Sequence, residues 1–541
     1  MTESSVFTYQ TRLDLSPEQL LALDALCDLH SRLERKLYAM QKAENLTRNE
    51  LKRYFIEHFG ISARMFNSIA ISIDGKKQSI KELLTRYISE TKVRIGKMRI
   101  KITNLKKRKS LSQKQLFSLH QYQRKLAILM SKLSDFEKQK EIKSYAICFG
   151  TRKLFHAQYH LEANGYQNHE EWQADWRASR ANQCFFVGSK DESAGNMLCQ
   201  LKQVDGHFSL QLRLPDSLNL GKYLHITALD FAYGKDNILA AINSCVRVER
   251  ADGDMRKGKQ RVGNALTYRF VRDQAGYRLF VSTNVIAPKR ISNRNCGAIG
   301  VDLNSDHLAV SQIDHRGNWI SSSQLPLHLH HKTSRQAGAI IGDQVKVLVE
   351  LAKNTCRPIV MEQLDFSKKK AALSKSNPDY ARMLSSLAYN KIIQTIKAAC
   401  FRAGIEVIEV NPAFTSTIGA VNYAQAHGLS IHQAAAIAIA RRGLGFSECP
   451  TKRVVFVPTR NGSHVTFPLP ARNHRKHVWS HWSDIRKSLI AAQKAHTQSG
   501  NLPAPLSSMK NLSSANCVSG MQMPRVSQGL LLPDVDQIIP F

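Results

Sequence analysis

The chain has 541 residues, with 77 lysines and arginines against 43 aspartates and glutamates, and a formal net charge of +34 at pH 7. This length predicts two to four domains, and the basic excess favours a polyanionic partner, nucleic acid before an anionic membrane surface. No run approaches the roughly 18 to 20 apolar residues of a membrane span, and the N-terminus lacks the pattern of a secretion signal.

The ten cysteines are scattered along the chain, and no two have the CxxC spacing. Thiols without a metal-ligand spacing predict reduced cysteines, which argues against a disulfide scaffold and against a zinc ribbon. We therefore expect a cytoplasmic protein without a membrane partner.

The N-terminal region, residues 1–145, has the apolar spacing of helices. This spacing runs through residues 16–60, where a Ser-Pro-Glu sequence gives a helix start. A longer stretch of helical apolar spacing covers residues 79–143. The break KKRKSLSQKQ inside it predicts two antiparallel helices, the second opened by a capping box of Ser112 and Gln115.

The predicted helical hairpin is strongly basic. Between Lys81 and Lys143 the chain has eighteen lysines and arginines but only five acidic residues. Neighbouring helices with this excess repel each other unless counterions or phosphates neutralise them, so we expect a nucleic-acid surface. The alternative is a charged coiled coil with solvated lysines. The candidate nucleic-acid-binding residues are Lys92, Arg94, Lys97, Arg99, Lys106, Lys107 and Arg108.

Residues 146–290 change to short alternating runs such as HFSLQLRLP and YRLFVSTNVIA. This alternation predicts a β-rich, barrel-like module of the wedge or OB type. Strands and helices then alternate over residues 291–447, which predicts an α/β domain. Residues 448–499 form a basic and aromatic extension, and residues 500–541 have the composition of a weakly ordered tail.

Two carboxylates and a histidine stand out in the α/β region. Asp302 interrupts the apolar strand of CGAIGVDLNSDHLAV, and Glu362 ends the apolar run RPIVME. A buried carboxylate needs a partner or a cation, although Asp302 could also be a solvated strand end. His432 lies in the first turn of a helix opened by a capping box of Ser430 and Gln433. Carboxylates from separate strands can hold two divalent cations at a phosphodiester.

Four segments carry a family resemblance: GVDLNSDHLAV, PIVMEQLDFSKKKA, VIEVNPAFTSTIG and HQAAAIAIARR. Together they resemble the RuvC-type nuclease domain of the TnpB family, transposon-encoded and RNA-guided relatives of type V CRISPR effectors. The resemblance covers about residues 297–445 and is weaker upstream, where ISARMFNSIA and the basic helices resemble the nucleic-acid-binding N-terminal half of the family. The segments CFGTRKLFHAQYHL and FFVGSKDESAGN resemble a divergent TnpB-related branch of transposase or accessory proteins. It implies an RNase H-like mixed sheet, a guide RNA and DNA cleavage beside a short motif.

The resemblance also assigns residues. Asp302 matches the first acidic metal ligand of the family, and Glu362 matches the second. The third family aspartate belongs to an Asp-x-Asn-Ala-Ala pattern, and His432 stands in its place. The expected cofactor is Mg²⁺, or Mn²⁺ because a neutral imidazole weakens magnesium binding. Glu409 or Asn411 could supply the missing oxygen if the helix shifts. The family's paired CxxC element is absent.

Other segments leave two interpretations open. Arg441 and Arg442 end the histidine-bearing helix, where they suit a phosphate contact or the helix dipole equally well. The basic and aromatic segment 472–482 could bind a nucleic acid strand or cover a core that includes Trp479 and Trp482. Asp365 is expected to order the loop after Glu362, and the histidines of HLHHK are expected to lie in a solvated loop.

The sequence supports three hypotheses about function. The first is an RNA-guided, metal-dependent DNA endonuclease of a transposable element, with Asp302, Glu362 and His432 as its catalytic residues. The second is a binding protein without cleavage, a guided regulator or an accessory of a transposase partner. The third is a transposase that joins DNA ends, since RNase H-like sites also perform strand transfer.

Overall fold

The computed structural model describes residues 4–43, 46–108, 110–249, 259–364, 386–450, 453–458 and 463–499. The chain divides into two compact units, Met1–Thr451 and Lys452–Phe541. Asp365 and the predicted tail lie outside the described residues. Among the described helices, none is long and apolar enough to cross a membrane.

The described part of the N-terminal region contains the helices α1 (Pro17–Ala43), α2 (Arg48–Phe59), α3 (Ala63–Lys106) and α4 (Gln113–Glu141). The two long basic helices are antiparallel, since Lys92 pairs with Glu137 and the Lys101 ammonium lies over the Tyr122 ring. The predicted cap of α4 is present, because the Ser112 backbone N–H donates to Gln115 Oε1 at 3.1 Å. The hairpin is longer than expected, because α3 begins before residue 79.

The region 1–145 is not entirely helical, which corrects the sequence prediction. Strand β1 (Ser4–Arg12) pairs antiparallel with β9 (Gly276–Ile286), with Ser4 opposite Ile286. A single core joins Leu23 of α1 and Phe66 of α3 to Phe270 of the β region. The helices and the β region are therefore packed as one body.

The β region contains a sheet of order β1-β9-β8-β2, a sheet of order β3-β4-β5 and the pair β6-β7. Its strands are β2 (Gln183–Phe186), β3 (Cys199–Val204), β4 (His207–Arg213), β5 (Tyr223–Leu229), β6 (Val246–Glu249), β7 (Lys259–Val262) and β8 (Thr267–Asp273). The helices that accompany them are α5 (Arg152–Ala157), α6 (His169–Arg180) and α7 (Lys235–Asn243).

A five-stranded mixed sheet of order β12-β11-β10-β13-β14 forms the α/β part, as the sequence predicted. Its strands are β10 (Ala298–Leu303), β11 (His307–Ile313), β12 (Trp319–Pro326), β13 (Ile359–Glu362) and β14 (Val407–Val410). The first three form an antiparallel meander, whereas β10, β13 and β14 are parallel.

Helices cover both faces of this sheet. One face packs on α8 (Ser334–Thr355) and α9 (Ser386–Ala403). The other face packs on α11 (Ile431–Gly443), which follows the short helix α10 (Thr415–Ile418) and one π-helical segment, Gly419–Ala424.

The second unit contains the hairpin β15 (Val454–Pro458) and β16 (His464–Pro468) and the helix α12 (Val478–Ser499). Trp482 is buried in it, whereas Trp479 is exposed, so only one of the two tryptophans is a core residue.

Candidate functional site

The register of the parallel strands places Asp302 beside Glu362. Ladder partners are Gly300 with Val360 and Val301 with Met361, so the next step along both strands pairs the two carboxylates. Side chains alternate between the faces of a sheet, and Gly300 lies against α11. Both carboxylates therefore lie on the α11 face, at the carboxyl ends of neighbouring strands.

Small residues let α11 lie directly on this face. A Cβ atom at Gly300 would be 1.9 Å from the Ala436 carbonyl oxygen and 2.9 Å from the Ala440 Cβ. At the helix start, the Gln433 N–H donates to Ser430 Oγ at 3.3 Å, and the Ser430 N–H donates to Gln433 Oε1 at 3.2 Å. The capping box is therefore present, as the sequence predicted.

The helix start brings His432 to Asp302. The imidazole Nδ1 donates to Asp302 Oδ2 at 3.0 Å, and Asn304 Nδ2 donates to the same oxygen at 3.1 Å. The His307 ring lies edge-on to His432, with 5.4 Å between ring centroids. Asp302 is only 9% exposed, so it is a partnered buried carboxylate and not a solvated strand end.

Glu362 is held by the first residue of the short helix α10. Thr415 Oγ1 donates to Glu362 Oε1 at 2.5 Å. Arg442 lies close enough for its charge to interact with the Glu362 carboxylate. Burial lowers the pKa of Arg442, and Glu362 acts in the opposite direction.

The two arginines that end α11 make internal contacts. Arg441 Nε donates to Glu448 Oε1 at 2.6 Å, and another of its nitrogens donates to the Gly317 carbonyl at 2.5 Å. Arg442 donates to the carbonyls of Asn411 and Ala413. These contacts favour the structural interpretation over the predicted phosphate contact.

Glu409 and Asn411, the two residues considered as sources of the missing oxygen, have other partners in the structure. Glu409 is paired in register with Met361 and therefore points to the face opposite the two carboxylates. Its Oε2 lies 2.8 Å from Lys397 Nζ. Asn411 Oδ1 accepts a hydrogen bond from the Ala413 N–H at 2.9 Å. A shift of α11 would not bring Glu409 to the site, which corrects that expectation.

The donor set fits a divalent cation in part. Asp302 and Glu362 offer adjacent carboxylate oxygens on one face, the ligand type that magnesium prefers. Within the described part of the chain, no group of three or more His, Cys, Asp or Glu side chains is arranged to hold a metal ion. The histidine at the third position bonds to Asp302 instead of adding an oxygen.

The predicted nucleic-acid-binding residues of the hairpin are all exposed: Lys92, Arg94, Lys97, Arg99, Lys106, Lys107 and Arg108. Lys92 Nζ lies 2.8 Å from Glu137 Oε1 in an exposed ion pair, which contributes about 0 to 1 kcal/mol and leaves the lysine free to exchange partners. These side chains are available to a phosphate backbone, and their role in binding remains a prediction.

Sequence reasoning missed two site residues. Thr415 carries no local signal beyond its position in the quoted segment VIEVNPAFTSTIG, and Asn304 follows Asp302 by two residues in an ordinary polar turn. Both were recognisable only after the fold placed them against the carboxylates.

No protein-family model matches the sequence, and none of the curated proteins matches it. Among solved structures, RuvC of T. thermophilus in complex with a Holliday junction substrate is similar at 15% identity and a TM-score of 0.20, over 26% of this chain and 88% of that chain. A second structure of Thermus thermophilus RuvC is similar at 15% identity and a TM-score of 0.20, over 26% of this chain and 90% of that chain. The crystal structure of the Cas12i1 R-loop complex before target DNA cleavage is similar at 9% identity and a TM-score of 0.16, over 89% of this chain and 50% of that chain. Similarity at this level establishes no family.

Proposed function

We propose that this protein is an RNA-guided, divalent-metal-dependent DNA endonuclease of a transposable element, with a RuvC-type site. The observation that carries the proposal is the position of Asp302 beside Glu362, on one face of the sheet and at the ends of two parallel strands. An antiparallel meander followed by two parallel strands is the sheet order of RNase H-like domains, which supports the same reaction class.

Asp302 and Glu362 would hold the cation, Mg²⁺ or Mn²⁺. When bound, the cation would supply Lewis-acid stabilisation of a phosphodiester undergoing in-line displacement. The chain's own residues orient the two ligands. His432 and Asn304 fix Asp302 Oδ2, and Thr415 fixes Glu362.

The basic hairpin would hold nucleic acid. Its exposed lysines and arginines exceed the acidic residues more than threefold, and phosphates would relieve their mutual repulsion. Guidance by RNA and the transposon context rest on the resemblance to the TnpB family. In guided systems, base pairing determines most of the target sequence.

The test is to purify the protein with its bound RNA, sequence that RNA, and incubate the complex with matching DNA and Mg²⁺ or Mn²⁺. Cleavage that is lost in Asp302→Asn and in Glu362→Gln supports the proposal. The matched control is Asp343→Asn, which changes an exposed carboxylate on α8. Cleavage that survives Asp302→Asn would overturn the site assignment.

A second candidate is a guided DNA-binding protein without cleavage. The observation in its favour is the bond between His432 Nδ1 and Asp302 Oδ2, at the place where the TnpB family has an anionic ligand. This candidate predicts RNA-dependent DNA binding that is unchanged in Asp302→Asn and Glu362→Gln. It also predicts no cleavage product with either metal.

A further inference from the structure

A cavity of about 570 Å³ lies among the N-terminal helices, the end of α6 and the first β sheet. Residues 148–151 pass beside it, and its walls include His30, Glu34, Phe149 and Arg180. None of the residues assigned to the nuclease site lines it. Its volume falls in the range of about 300 to 1,000 Å³ that is usual for small-molecule sites.

Arg180 brings a positive charge to this cavity, with its guanidinium carbon 5.1 Å from the centroid of the Trp176 ring. Its Nε is buried without a hydrogen-bond partner, and Arg180 forms no ion pair with any described residue. Burial lowers the pKa of Arg180, the charges of Arg35 and Arg177 lower it further, and the charge of Asp28 acts in the opposite direction. Three arginines with one buried donor unused outweigh the single aspartate, and this favours an anion in the cavity.

His30 is a second unsatisfied group in the same wall. The side chain is 4% exposed, and its Nε2 has no hydrogen-bond partner among the described residues. Burial lowers the pKa of His30 to about 4, so the ring is neutral at pH 7. A buried polar atom without a partner is unfavourable, and a ligand with polar atoms would supply the missing hydrogen bond.

The acidic residue of the wall, Glu34, is already neutralised. Lys76 Nζ lies 2.5 Å from Glu34 Oε1, and Ser72 Oγ donates to the same oxygen at 2.6 Å. The remaining charge of the cavity is therefore positive. This balance favours a phosphate over a cation or a neutral ligand.

Phe149 adds an aromatic ring beside these charges, and Lys76 Nζ lies 5.1 Å from its centroid. Its half-buried ring packs edge-on against Tyr38, with 5.5 Å between centroids. The next residue, Gly150, has a φ of 98°, and a Cβ there would lie 2.7 Å from the Trp176 ring. Because only glycine fits this close approach, the backbone can pass over Trp176 and present Phe149 to the cavity.

We propose that this cavity binds one unstacked nucleotide of a single-stranded nucleic acid, with the phosphate on Arg180 and the base against Phe149. Arginine is the usual phosphate partner, and aromatic rings accept any base. The proposal is independent of cleavage at Asp302, because it requires binding alone.

The test measures binding of a labelled single-stranded oligonucleotide to the full-length protein, with EDTA present so that cleavage does not interfere. Arg180→Gln should weaken binding by about tenfold, the effect of one charge-assisted hydrogen bond. It should also reduce the slope of log affinity against log salt by about 0.7, the value for one phosphate on a single strand. Phe149→Leu should weaken binding without changing that slope.

Arg335→Gln is the matched control, because it removes an exposed arginine from α8. The oligonucleotide affinity and its salt slope should change less in Arg335→Gln than in Arg180→Gln. Arg180→Lys keeps the charge and should retain the slope, which separates binding from a folding defect. Oligonucleotide binding that is unchanged in Arg180→Gln would overturn the proposal.

AMP is the second probe. If Arg180→Gln abolishes stabilisation by AMP but leaves oligonucleotide binding intact, the cavity takes a free nucleotide and the strand proposal is wrong.

Discussion

Asp302 and His432 are 130 residues apart in sequence, and the fold joins them by a hydrogen bond of 3.0 Å. The bond connects the end of a central strand to the first turn of the helix that covers it. Since metal binding requires access to the carboxylate, this contact bears directly on whether the site cleaves.

His432→Asp should increase magnesium-dependent cleavage. The change replaces an imidazole by a third carboxylate on the same helix turn, so we expect a gain on the order of tenfold, typical of altered partners at metal sites. The measurement is the cleavage rate against Mg²⁺ concentration. A rate that falls would show that the histidine itself contributes to cleavage.

Thr415→Val should loosen Glu362. The change keeps the shape of the side chain but removes the hydroxyl that donates to Glu362 Oε1. We expect a loss of about 1 to 2 kcal/mol in the free energy of unfolding and a lower cleavage rate. Thr395→Val is the control, because that hydroxyl donates to a backbone carbonyl within α9. Equal effects on cleavage would contradict the assignment.

Gly300→Ala should separate α11 from the sheet. The new methyl group would meet the Ala436 carbonyl at 1.9 Å, so we expect destabilisation of about 1 to 3 kcal/mol, the usual cost of overpacking. Gly342→Ala in α8 meets nothing within 4 Å and should be neutral or stabilising. Chemical denaturation of both variants measures the difference.

Stability should fall as the pH is lowered from about 6.5 to 4. Burial lowers the pKa of His30 to about 4 in the folded state, whereas the unfolded chain binds a proton near the ordinary value of 6.5. In this window the unfolded state binds more protons, so acid favours unfolding, by about 3 kcal/mol at most. His30→Gln should flatten the dependence of unfolding free energy on pH, and the exposed His120→Gln should leave it unchanged. If the unfolding free energy of His30→Gln depends on pH in the same way as that of the unmodified protein, the assignment to His30 is wrong.

The triple change of Lys106, Lys107 and Arg108 to glutamine should weaken binding to nucleic acid of any sequence. All three side chains are exposed where α3 ends. For each phosphate that is no longer neutralised, the salt slope on duplex DNA should fall by about 0.9. The control changes Arg316, Arg335 and Lys346, which are exposed cations of the α/β part. Binding that weakens equally in both variants would show a general charge effect.

Local features were predictable from the sequence because their physical cause is local. Apolar periodicity gave the order of strands and helices in the α/β part, and the capping residues Ser112 and Ser430 marked helix starts. The strand interrupted by Asp302 was also recognisable, because a carboxylate in an apolar run is costly unless it has a partner.

Only the tertiary structure decided which residues meet. Strand β1 pairs with β9 across more than two hundred residues, and no local pattern encodes that register. The parallel register placed Asp302 beside Glu362 and turned Glu409 to the opposite face, since a shift of one residue reverses the face of every side chain. Likewise, the internal contacts of Arg441 and Arg442 depend on loops that approach them only in the folded chain.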